Sequence, residues 1–360
     1  MDILSVDCGQ GEDDMPDLRV ATFNLYHFAA PGIYWHERKA SATYTPEQWA
    51  AKLDWISGML TKMNADVVGF QEVVSDEALR VLTQAAGYPY FYNAARAIFD
   101  PDDPEIYVNA TVAVASRLPF TTVNDLAGVA GIPADTVIDE GFGFSRVPVE
   151  AVVQAPSIGE IKVYVCHLKS QGAFVDPDAI DAVGDWADKV KRYYALRAVA
   201  GVDQVAKRAA EAGALYRTFR RILDVDPAAA VILLGDMNED PESHTLGILT
   251  QGERVFSWGS VAGDAIPEEF AYLKHVFKLY DAWHLVPTQM NTRPVTHSSF
   301  GHGSVLDYVI LSNGLNPKNP RRHGTVSKIE VFDAHFREGP ERGIASDHAP
   351  VVATITGPAV

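Results

Sequence analysis

The chain has few cysteines, and this scarcity excludes one class of protein. Only two cysteines, Cys8 and Cys166, occur in 360 residues, so a framework of disulfide bonds is not supported. Cys166 stands in an apolar run, and we expect it to be buried as a small apolar side chain. The chain is therefore expected to depend on a hydrophobic core, for which its length and its 47% hydrophobic residues are ample.

Long apolar runs are also absent. No stretch approaches the roughly 18 apolar residues that a transmembrane helix needs, which predicts no integral membrane association. The N-terminal segment "MDILSVDCGQGEDDMPD" lacks the basic region and the sustained apolar region of a signal peptide. We therefore expect a cytoplasmic protein. A chain from which a signal peptide had been removed would look the same, so secretion stays open as the alternative.

Positive charge is scarce relative to negative charge. The 30 Lys and Arg residues are outnumbered by 47 Asp and Glu residues, which gives a net charge of −17. Such a surface repels nucleic acid unless a basic patch or bound cations reverse the local potential. The stretches "KVKRYYALRAVAG", "YRTFRR" and "NPRRHGTVSK" could form basic patches, although a solvated helix face is the more ordinary interpretation of the first two. No segment indicates a protein partner.

Strand-like and helix-like segments alternate along the chain. A helix is predicted from Thr45, because Thr45 fits an N-cap, Pro46 the first helical position and Gln48 the capping box. Strands are predicted for "LRVATFN", "ADVVGFQEV", "ATVAVAS", "VPVEAVVQA", "IKVYVCH", "AVILLGD", "VLDYVILS" and "APVVATI". We expect an acidic tail at residues 1–18 and then a single α/β domain at 19–360, with a helical insertion at about 176–225.

Polar side chains stand at the ends of several predicted strands, within one strand and just before the last one, where a hydrophobic core does not favour them. They are Asn24, Gln71, Glu72, His167, Asp236, Asn238, Asp307, Asp347 and His348. Singly, each has an ordinary explanation, since Asp and Asn after a strand usually form turns or helix caps. Their repetition at one strand end after another indicates a shared site instead.

Taken in chain order, with Ser116-Arg117 and the motif "GDMN" included, these residues resemble the endonuclease/exonuclease/phosphatase superfamily. The resemblance runs from about Arg19 to Thr356, which is nearly the whole chain. It implies a four-layered α/β sandwich, in which two mixed β-sheets pack face to face with helices outside. It also implies a metal-dependent hydrolase of phosphate esters, whose site lies at the edge where strand ends of both sheets converge.

The resemblance implies a metal site and a set of catalytic residues. Glu72, with Asn24 and Asp347, would hold Mg²⁺ or Mn²⁺, and Ca²⁺ is a further candidate; oxygen ligands of this kind suit hard cations. The expected catalytic residues are His167, Asp236, Asn238, Asp307 and His348. Asp307 would orient His348, and either Asp236 or His348 would activate the attacking water.

Three weaker positions are expected to contact the substrate. "FSRVPVEA" resembles a segment of pancreatic-type deoxyribonucleases and suggests that Arg146 reaches the phosphate. "NATVAVASRLPF" resembles a family strand and places Asn109 and Arg117 near the same end, with a structural salt bridge as the alternative for Arg117. Tyr26 stands where abasic-site endonucleases carry an aspartate, so that ligand is missing here.

The sequence is less informative about the substrate. It lacks the arginine that reads the DNA minor groove in pancreatic-type deoxyribonucleases, and Glu239-Asp240-Pro241 departs from the inositol-phosphatase pattern. We expect a phosphodiesterase or nuclease, and hydrolysis of a small-molecule, sugar or lipid phosphate ester is the alternative. A catalytically inactive binding protein is a remote third hypothesis, because the whole set of polar residues is intact.

Overall fold

The computed structural model describes residues 17–129, 142–173, 175–181, 184–251, 272–287, 292–299, 301–341 and 343–358. The predicted acidic tail lies outside these residues up to position 16, and positions 182 and 183 of the predicted helical insertion lie outside them too.

The described residues form strands and helices in alternation along much of the chain. In chain order the strands are β1 (Leu18–Phe28), β2 (Tyr34–Trp35), β3 (Val67–Val73), β4 (Tyr90–Asn93), β5 (Ile98–Phe99), β6 (Ile106–Asn109), β7 (Thr111–Ser116), β8 (Phe120–Asp125), β9 (Val149–Ala155), β10 (Gly159–His167), β11 (Ala230–Asp236), β12 (Tyr280–Asp281), β13 (His297–Ser299), β14 (His302–Ser304), β15 (Asp307–Leu311), β16 (Thr325–Val331) and β17 (Val351–Thr356). The α-helices are α1 (Pro46–Met63), α2 (Asp76–Ala85), α3 (Pro177–Asp181), α4 (Trp186–Val225), α5 (His244–Thr250), α6 (Leu273–Val276) and α7 (His335–Glu338).

Two six-stranded mixed sheets are built on the same plan. The first has the order β16-β17-β1-β3-β7-β4, and the second has the order β12-β15-β11-β10-β9-β8. Each has one parallel pair at its centre, β1 with β3 and β10 with β11, and antiparallel neighbours on both sides. The carboxyl ends of two parallel strands lie at the same edge of a sheet, so residues that end these strands are brought together.

The main core lies between the two sheets, and helices cover their outer faces. Apolar side chains of β1, β3, β7, β9, β10, β11, β15 and β17 pack together in the central layer. Gly69 allows close approach there, because a Cβ at this position would lie 2.8 Å from a methyl of Val165 in the facing sheet. Side chains of α1 and α2 cover the first sheet, whereas side chains of α4 and α5 cover the second. The predicted sandwich of two face-to-face sheets with outer helices is confirmed.

The predicted helix start at Thr45 is confirmed in atomic detail. The Thr45 hydroxyl accepts a hydrogen bond from the Gln48 backbone at 3.2 Å, and the Gln48 side chain accepts one from the Thr45 backbone at 2.9 Å. The predicted helical insertion corresponds to α3 and α4, of which α4 alone has 40 residues. The basic stretch "NPRRHGTVSK" ends within β16. None of the helices in the described part of the chain combines the length and apolar character needed to cross a membrane.

Candidate active site

Asn24 and Glu72 lie side by side where the regular pairing of β1 with β3 ends. The pairing of these strands is regular up to Asn24 and Gln71, and the register then shifts. Glu72 adopts a left-handed backbone conformation with a φ of 60°, which is uncommon for a residue with a side chain. Its carboxylate accepts hydrogen bonds from the His27 backbone at 2.8 Å and from the Asn24 amide at 3.3 Å. The irregular strand end thus fixes the position of the Glu72 carboxylate.

The carboxyl ends of β10 and β11 place His167 opposite Asp236. These two residues are partners in the parallel register, and His167 Nε2 lies 3.4 Å from Asp236 Oδ2. The preceding Gly235 allows the two strands to approach, because a Cβ there would lie 2.3 Å from the Cys166 carbonyl oxygen. As predicted, Cys166 is buried.

Asn24 joins the ends of the two sheets. Its amide nitrogen donates both to Glu72 of the first sheet and, at 3.1 Å, to Asp236 Oδ2 of the second. The other oxygen of Asp236 accepts a hydrogen bond from the Asn238 backbone at 2.8 Å. Asn238 in turn donates from its side chain to the Leu168 carbonyl at 3.0 Å. The two strand pairs therefore end in one connected polar cluster.

His348 and Asp307 form a buried pair beside this cluster. His348 Nδ1 lies 2.8 Å from Asp307 Oδ2, and His348 Nε2 lies 3.8 Å from Asp236 Oδ2. Asp307 is held opposite Asp236 by the antiparallel register of β11 and β15. Because the Nδ1 position is used by Asp307, the Nε2 position of the imidazole faces Asp236.

The pKa values of the two central carboxyl groups shift in opposite directions. Burial raises the pKa of Asp236, which the nearby His348 charge opposes and the Asp307 charge reinforces, to about 7. Burial would also raise the pKa of Glu72, but the charges of His27 and His348 and the hydrogen bond from the His27 backbone outweigh it and lower this pKa to about 2. Glu72 is therefore held ionised, whereas Asp236 exchanges a proton near neutral pH.

The pKa values of the two buried histidines, His167 and His348, also shift in opposite directions. Burial and the neighbouring Arg146 charge lower the pKa of His167 well below its usual value. Burial would lower the pKa of His348 as well, but the carboxylates of Asp307 and Asp236 raise it well above that value. His167 is consequently neutral and His348 positively charged at neutral pH.

The residues expected to bind a metal ion offer a donor set that fits a hard divalent cation. Glu72 supplies an ionised carboxylate, with the amide of Asn24 directly beside it. Asp347 directly follows Ser346, whose hydroxyl donates to the Asn24 carbonyl at 2.7 Å. Carboxylate and amide oxygens are ligands that Mg²⁺ and Mn²⁺ accept. Among the described residues, Asp236, Asp307 and His348 also have ligand atoms close enough together to share an ion.

Two of the three predicted substrate contacts lie beside the cluster. Asn109 ends β6 and donates from its side chain to the Ser145 carbonyl, next to Arg146. Arg146 donates to the Leu168 carbonyl at 3.1 Å, one residue after His167. The Nε of Arg146 is buried and makes no hydrogen bond within the described residues.

The predicted position of Arg117 near the site is wrong. Because β7 runs antiparallel to β3, its last residue, Ser116, pairs with Val67 at the start of β3 rather than with its end. Arg117 follows there, donates to the Asn64 side chain at 2.7 Å and packs its guanidinium over the ring of Tyr88. It therefore lies at the edge of the sheet opposite the polar cluster.

The family to which the chain belongs follows from comparison with known proteins. The model of the endonuclease/exonuclease/phosphatase family matches residues 21–348, which include every residue of the cluster. The chain belongs to this family. The family comprises nucleases, phosphodiesterases and phosphatases that act on phosphate esters and generally depend on divalent metal ions.

Solved structures of this family share the fold at low sequence identity. An endonuclease/exonuclease/phosphatase from Bacteroides vulgatus has a TM-score of 0.54 and 16% identity, covering 95% of this chain and 100% of its own. The human Nocturnin catalytic domain with a bound sulfate anion has a TM-score of 0.53 and 14% identity, covering 96% of both chains. Truncated TDP2 from Caenorhabditis elegans has a TM-score of 0.51 and 13% identity, covering 95% of this chain and 98% of its own. No curated protein sequence matches significantly.

Several residues that surround the site were not predicted from the sequence. His27 donates its backbone N–H to Glu72 and stacks its ring on Trp35, with centroids 4.8 Å apart. The fully buried Lys52 donates from Nζ to the Gly343 carbonyl at 2.9 Å. The ring of His297 packs against that of His348 at an interplanar angle of 45°, with centroids 4.7 Å apart. His27 is the third residue after Asn24 in the sequence. Its nearness to a predicted site residue was therefore a usable signal.

Proposed function

We propose that this protein is a metal-dependent phosphodiesterase that uses Asp236 and His348 to activate water and to stabilise charge on the phosphate. The observation that carries the proposal is the position of the Asp236 carboxylate. It lies 3.1 Å from the Asn24 amide, 3.4 Å from His167 Nε2 and 3.8 Å from His348 Nε2. Such a buried set of donors and a base suits hydrolysis at phosphorus.

Asp236 would accept the proton of the attacking water. Its pKa of about 7 makes the ionised form accessible near neutral pH, and a base is most effective when its pKa lies near the working pH. The Asn238 backbone N–H holds one oxygen of this carboxylate, so the other is oriented toward the histidines and Asn24. Asn238 would hold the water or a phosphoryl oxygen.

The two histidines would take different roles. His348 is positively charged and is held by Asp307, so it would stabilise negative charge on a phosphoryl oxygen or donate a proton to the leaving group. His167 is neutral, and it would donate a hydrogen bond to a non-bridging oxygen. Arg146 and Asn109 would support the phosphate from the adjacent segment.

Glu72, Asn24 and Asp347 would hold the divalent cation, for which Mg²⁺ or Mn²⁺ is the best match and Ca²⁺ a further candidate. When bound, such an ion neutralises charge on the phosphate and lowers the pKa of a bound water. The chain's own contribution is to keep Glu72 ionised and fixed, through the His27 backbone and the Asn24 amide.

Hydrolysis of a small phosphate ester is a second candidate function, and the charges of α4 favour it over binding of nucleic acid. Lys189 is paired with Asp181 at 2.7 Å, and Lys191 is paired with Asp188 at 3.0 Å. These pairs reduce the positive potential of the basic stretch, and the net charge of the chain is −17. Nucleic acid stays a candidate substrate, although these ion pairs leave less free positive charge on the described residues of α4 to recruit it.

A substrate panel tests the proposal. Purified protein with Mg²⁺ or Mn²⁺ is assayed on plasmid DNA, single-stranded RNA, bis-p-nitrophenyl phosphate and p-nitrophenyl phosphate, with EDTA as the metal-free control. We expect metal-dependent hydrolysis of the diester that Asp236→Asn removes. Asp240→Asn, which changes an exposed carboxylate in the loop after β11, is the matched control and should retain activity.

The outcomes separate the candidate functions. Cleavage of bis-p-nitrophenyl phosphate without cleavage of DNA or RNA favours the small-ester function. Hydrolysis of the monoester alone contradicts the phosphodiesterase proposal and indicates a phosphatase. Equal activity of the Asp236→Asn variant and the parent protein means that the catalytic residues are wrongly chosen.

A further inference from the structure

Two histidines flank one carboxylate on the partly exposed side of the polar cluster. His297 Nε2 lies 3.9 Å from Asp347 Oδ2, and His348 Nε2 lies 4.0 Å from Asp347 Oδ1. Both separations are too long for hydrogen bonds. The three ligand atoms lie within 4.8 Å of one another, and in a tetrahedral zinc site the ligand atoms are roughly 3.4 Å apart. Small side-chain movements would therefore bring all three onto one cation.

The outer contacts of both histidines already orient them as ligands. His297 Nδ1 lies 3.0 Å from the Ser304 hydroxyl, and His348 Nδ1 lies 2.8 Å from Asp307 Oδ2. In each ring the Nδ1 position is held by a neighbour, and the Nε2 position is directed toward Asp347. Metal-binding histidines characteristically have this arrangement, in which the other ring nitrogen is fixed by a hydrogen bond.

The backbone also holds the three residues in place. His297 and His348 form an isolated antiparallel bridge, and the Ser298 backbone donates to the Asp347 carbonyl at 2.9 Å. The Ala349 backbone donates to the Thr296 carbonyl at 2.6 Å. These hydrogen bonds join the hairpin of β13 and β14 to the segment that carries Asp347 and His348. The ligand on this hairpin, His297, is therefore held in position by backbone pairing.

The donors differ in chemical class from those of Glu72 and Asn24. Two imidazole nitrogens with one carboxylate favour a borderline-soft ion such as Zn²⁺, Co²⁺ or Ni²⁺, whereas oxygen donors favour Mg²⁺. We infer that His297, Asp347 and His348 form a further cation site, which binds Zn²⁺ or a similar transition-metal ion. This site shares Asp347 with the set of Glu72 and Asn24, and binding releases the Nε2 proton of His348 to solvent. If the proposed function holds, this ion inhibits hydrolysis, because it occupies the Nε2 atom of His348 and the carboxylate of Asp347.

Calorimetric titration with Zn²⁺ alone tests the site on the full chain. The variant His297→Gln removes one ligand, and His302→Gln changes an exposed histidine on the partner strand of the same hairpin as a matched control. We expect the parent protein and His302→Gln to bind Zn²⁺ alike. Loss of an outer-shell partner alone typically costs about 10–100-fold in metal affinity, so His297→Gln should weaken binding by about 100-fold or more. Absence of binding to the parent protein, or equal binding by His297→Gln, overturns the inference.

Ser304→Ala provides a second variant that keeps all three ligands. It removes the hydroxyl beside His297 Nδ1 and should weaken Zn²⁺ binding by roughly 10-fold. If circular dichroism shows that His297→Gln is unfolded, Ser304→Ala decides the matter, and unchanged Zn²⁺ affinity in this variant overturns the inference.

Inhibition is measured separately from binding. With Mg²⁺ and bis-p-nitrophenyl phosphate, Zn²⁺ should lower the rate of the parent protein and of His302→Gln at the same concentration, while His297→Gln should require about 100-fold more Zn²⁺. Equal sensitivity of the two variants, or Zn²⁺ binding without inhibition, overturns the inhibitory role. Absence of hydrolysis before Zn²⁺ is added contradicts the proposed function, and the calorimetric result still decides whether the site exists.

Discussion

Each of the two sheets has a parallel strand pair at its centre. The carboxyl groups that these pairs carry nevertheless have pKa values that shift in opposite directions. Glu72 is the penultimate residue of β3, its side chain is 21% exposed, and surrounding positive charge lowers its pKa to about 2. Asp236 ends β11 with a side chain only 2% exposed, and burial raises its pKa to about 7. The first environment suits an ionised ligand for a cation, and the second suits proton transfer near neutral pH. Local burial and charge, rather than topology, therefore separate the two chemical roles.

The largest expected effect tests the role of the second strand pair. Asp236→Asn keeps the size of the side chain but removes the base, so kcat for diester hydrolysis should fall by about 10³-fold or more. Steady-state kinetics at saturating Mg²⁺ measure this, with Asp240→Asn as the control. A kcat within a few-fold of the parent value would assign the base elsewhere.

The next effect tests the first strand pair. Glu72→Gln should raise the Mg²⁺ concentration needed for half-maximal activity by roughly 10–100-fold, because a neutral amide replaces the ionised ligand. A metal titration at fixed substrate concentration measures the shift. An unchanged titration curve would remove Glu72 from the metal site and break the comparison between the two carboxylates.

Two arginines test which edge of the sheets carries the site. Arg146→Ala should lower kcat/KM by about 10-fold, a loss of roughly 1.4 kcal/mol of transition-state stabilisation. Arg117→Ala should leave kcat/KM within about 2-fold, because this guanidinium contacts Asn64 and Tyr88 at the opposite edge. If the Arg117 variant lost activity as strongly as the Arg146 variant while remaining folded, the site would not be confined to one edge.

The smallest effect concerns stability, and it should have opposite signs in the two strand pairs. The pKa of Asp236 is raised from 3.8, so ionising this group costs stability as pH rises from about 4 through 7. The pKa of Glu72 is lowered from 4.5, so this group contributes stability above about pH 4.5 that is lost as pH falls toward 2. In EDTA at pH 8, Asp236→Asn should therefore raise Tm and Glu72→Gln should lower it.

Differential scanning calorimetry can resolve these changes. A shift of about 1 °C in each direction, corresponding to roughly 1 kcal/mol, is the expected size. Scans at about pH 3, where Asp236 is protonated in both the folded and the unfolded chain, should show a smaller difference between Asp236→Asn and the parent protein. Shifts of the same sign at pH 8 would mean that the two carboxylates do not differ as described.

Much of the site was predictable because parallel strands end at one edge. The buried runs before Asn24, Glu72, His167 and Asp236 are plain in the sequence, and their common polar endings predict convergence. The exception, Arg117, depended on the direction of β7, which an apolar run does not reveal.

Other features could not be predicted from local patterns. The strands that carry His297 and its partner Ser304 have three residues each, which is too short for a recognisable periodicity. An isolated β-bridge brings His297 next to His348, although 51 positions separate the two residues in the sequence. Likewise, β1 was expected to end at Asn24 but continues to Phe28, with Tyr26 and His27 in left-handed conformations. These details depend on long-range pairing rather than on composition.

The need for glycine at positions 69 and 235 limits where substitutions could give this protein new substrates. Any other residue at Gly235 would place an atom 2.3 Å from the Cys166 carbonyl, and at Gly69 the facing Val165 would have to move. In a saturation library selected for activity, we expect these two positions to return glycine almost exclusively. Altered specificity should instead arise around Trp35, which stacks on His27 beside Glu72, because diversification there leaves the strand ends intact.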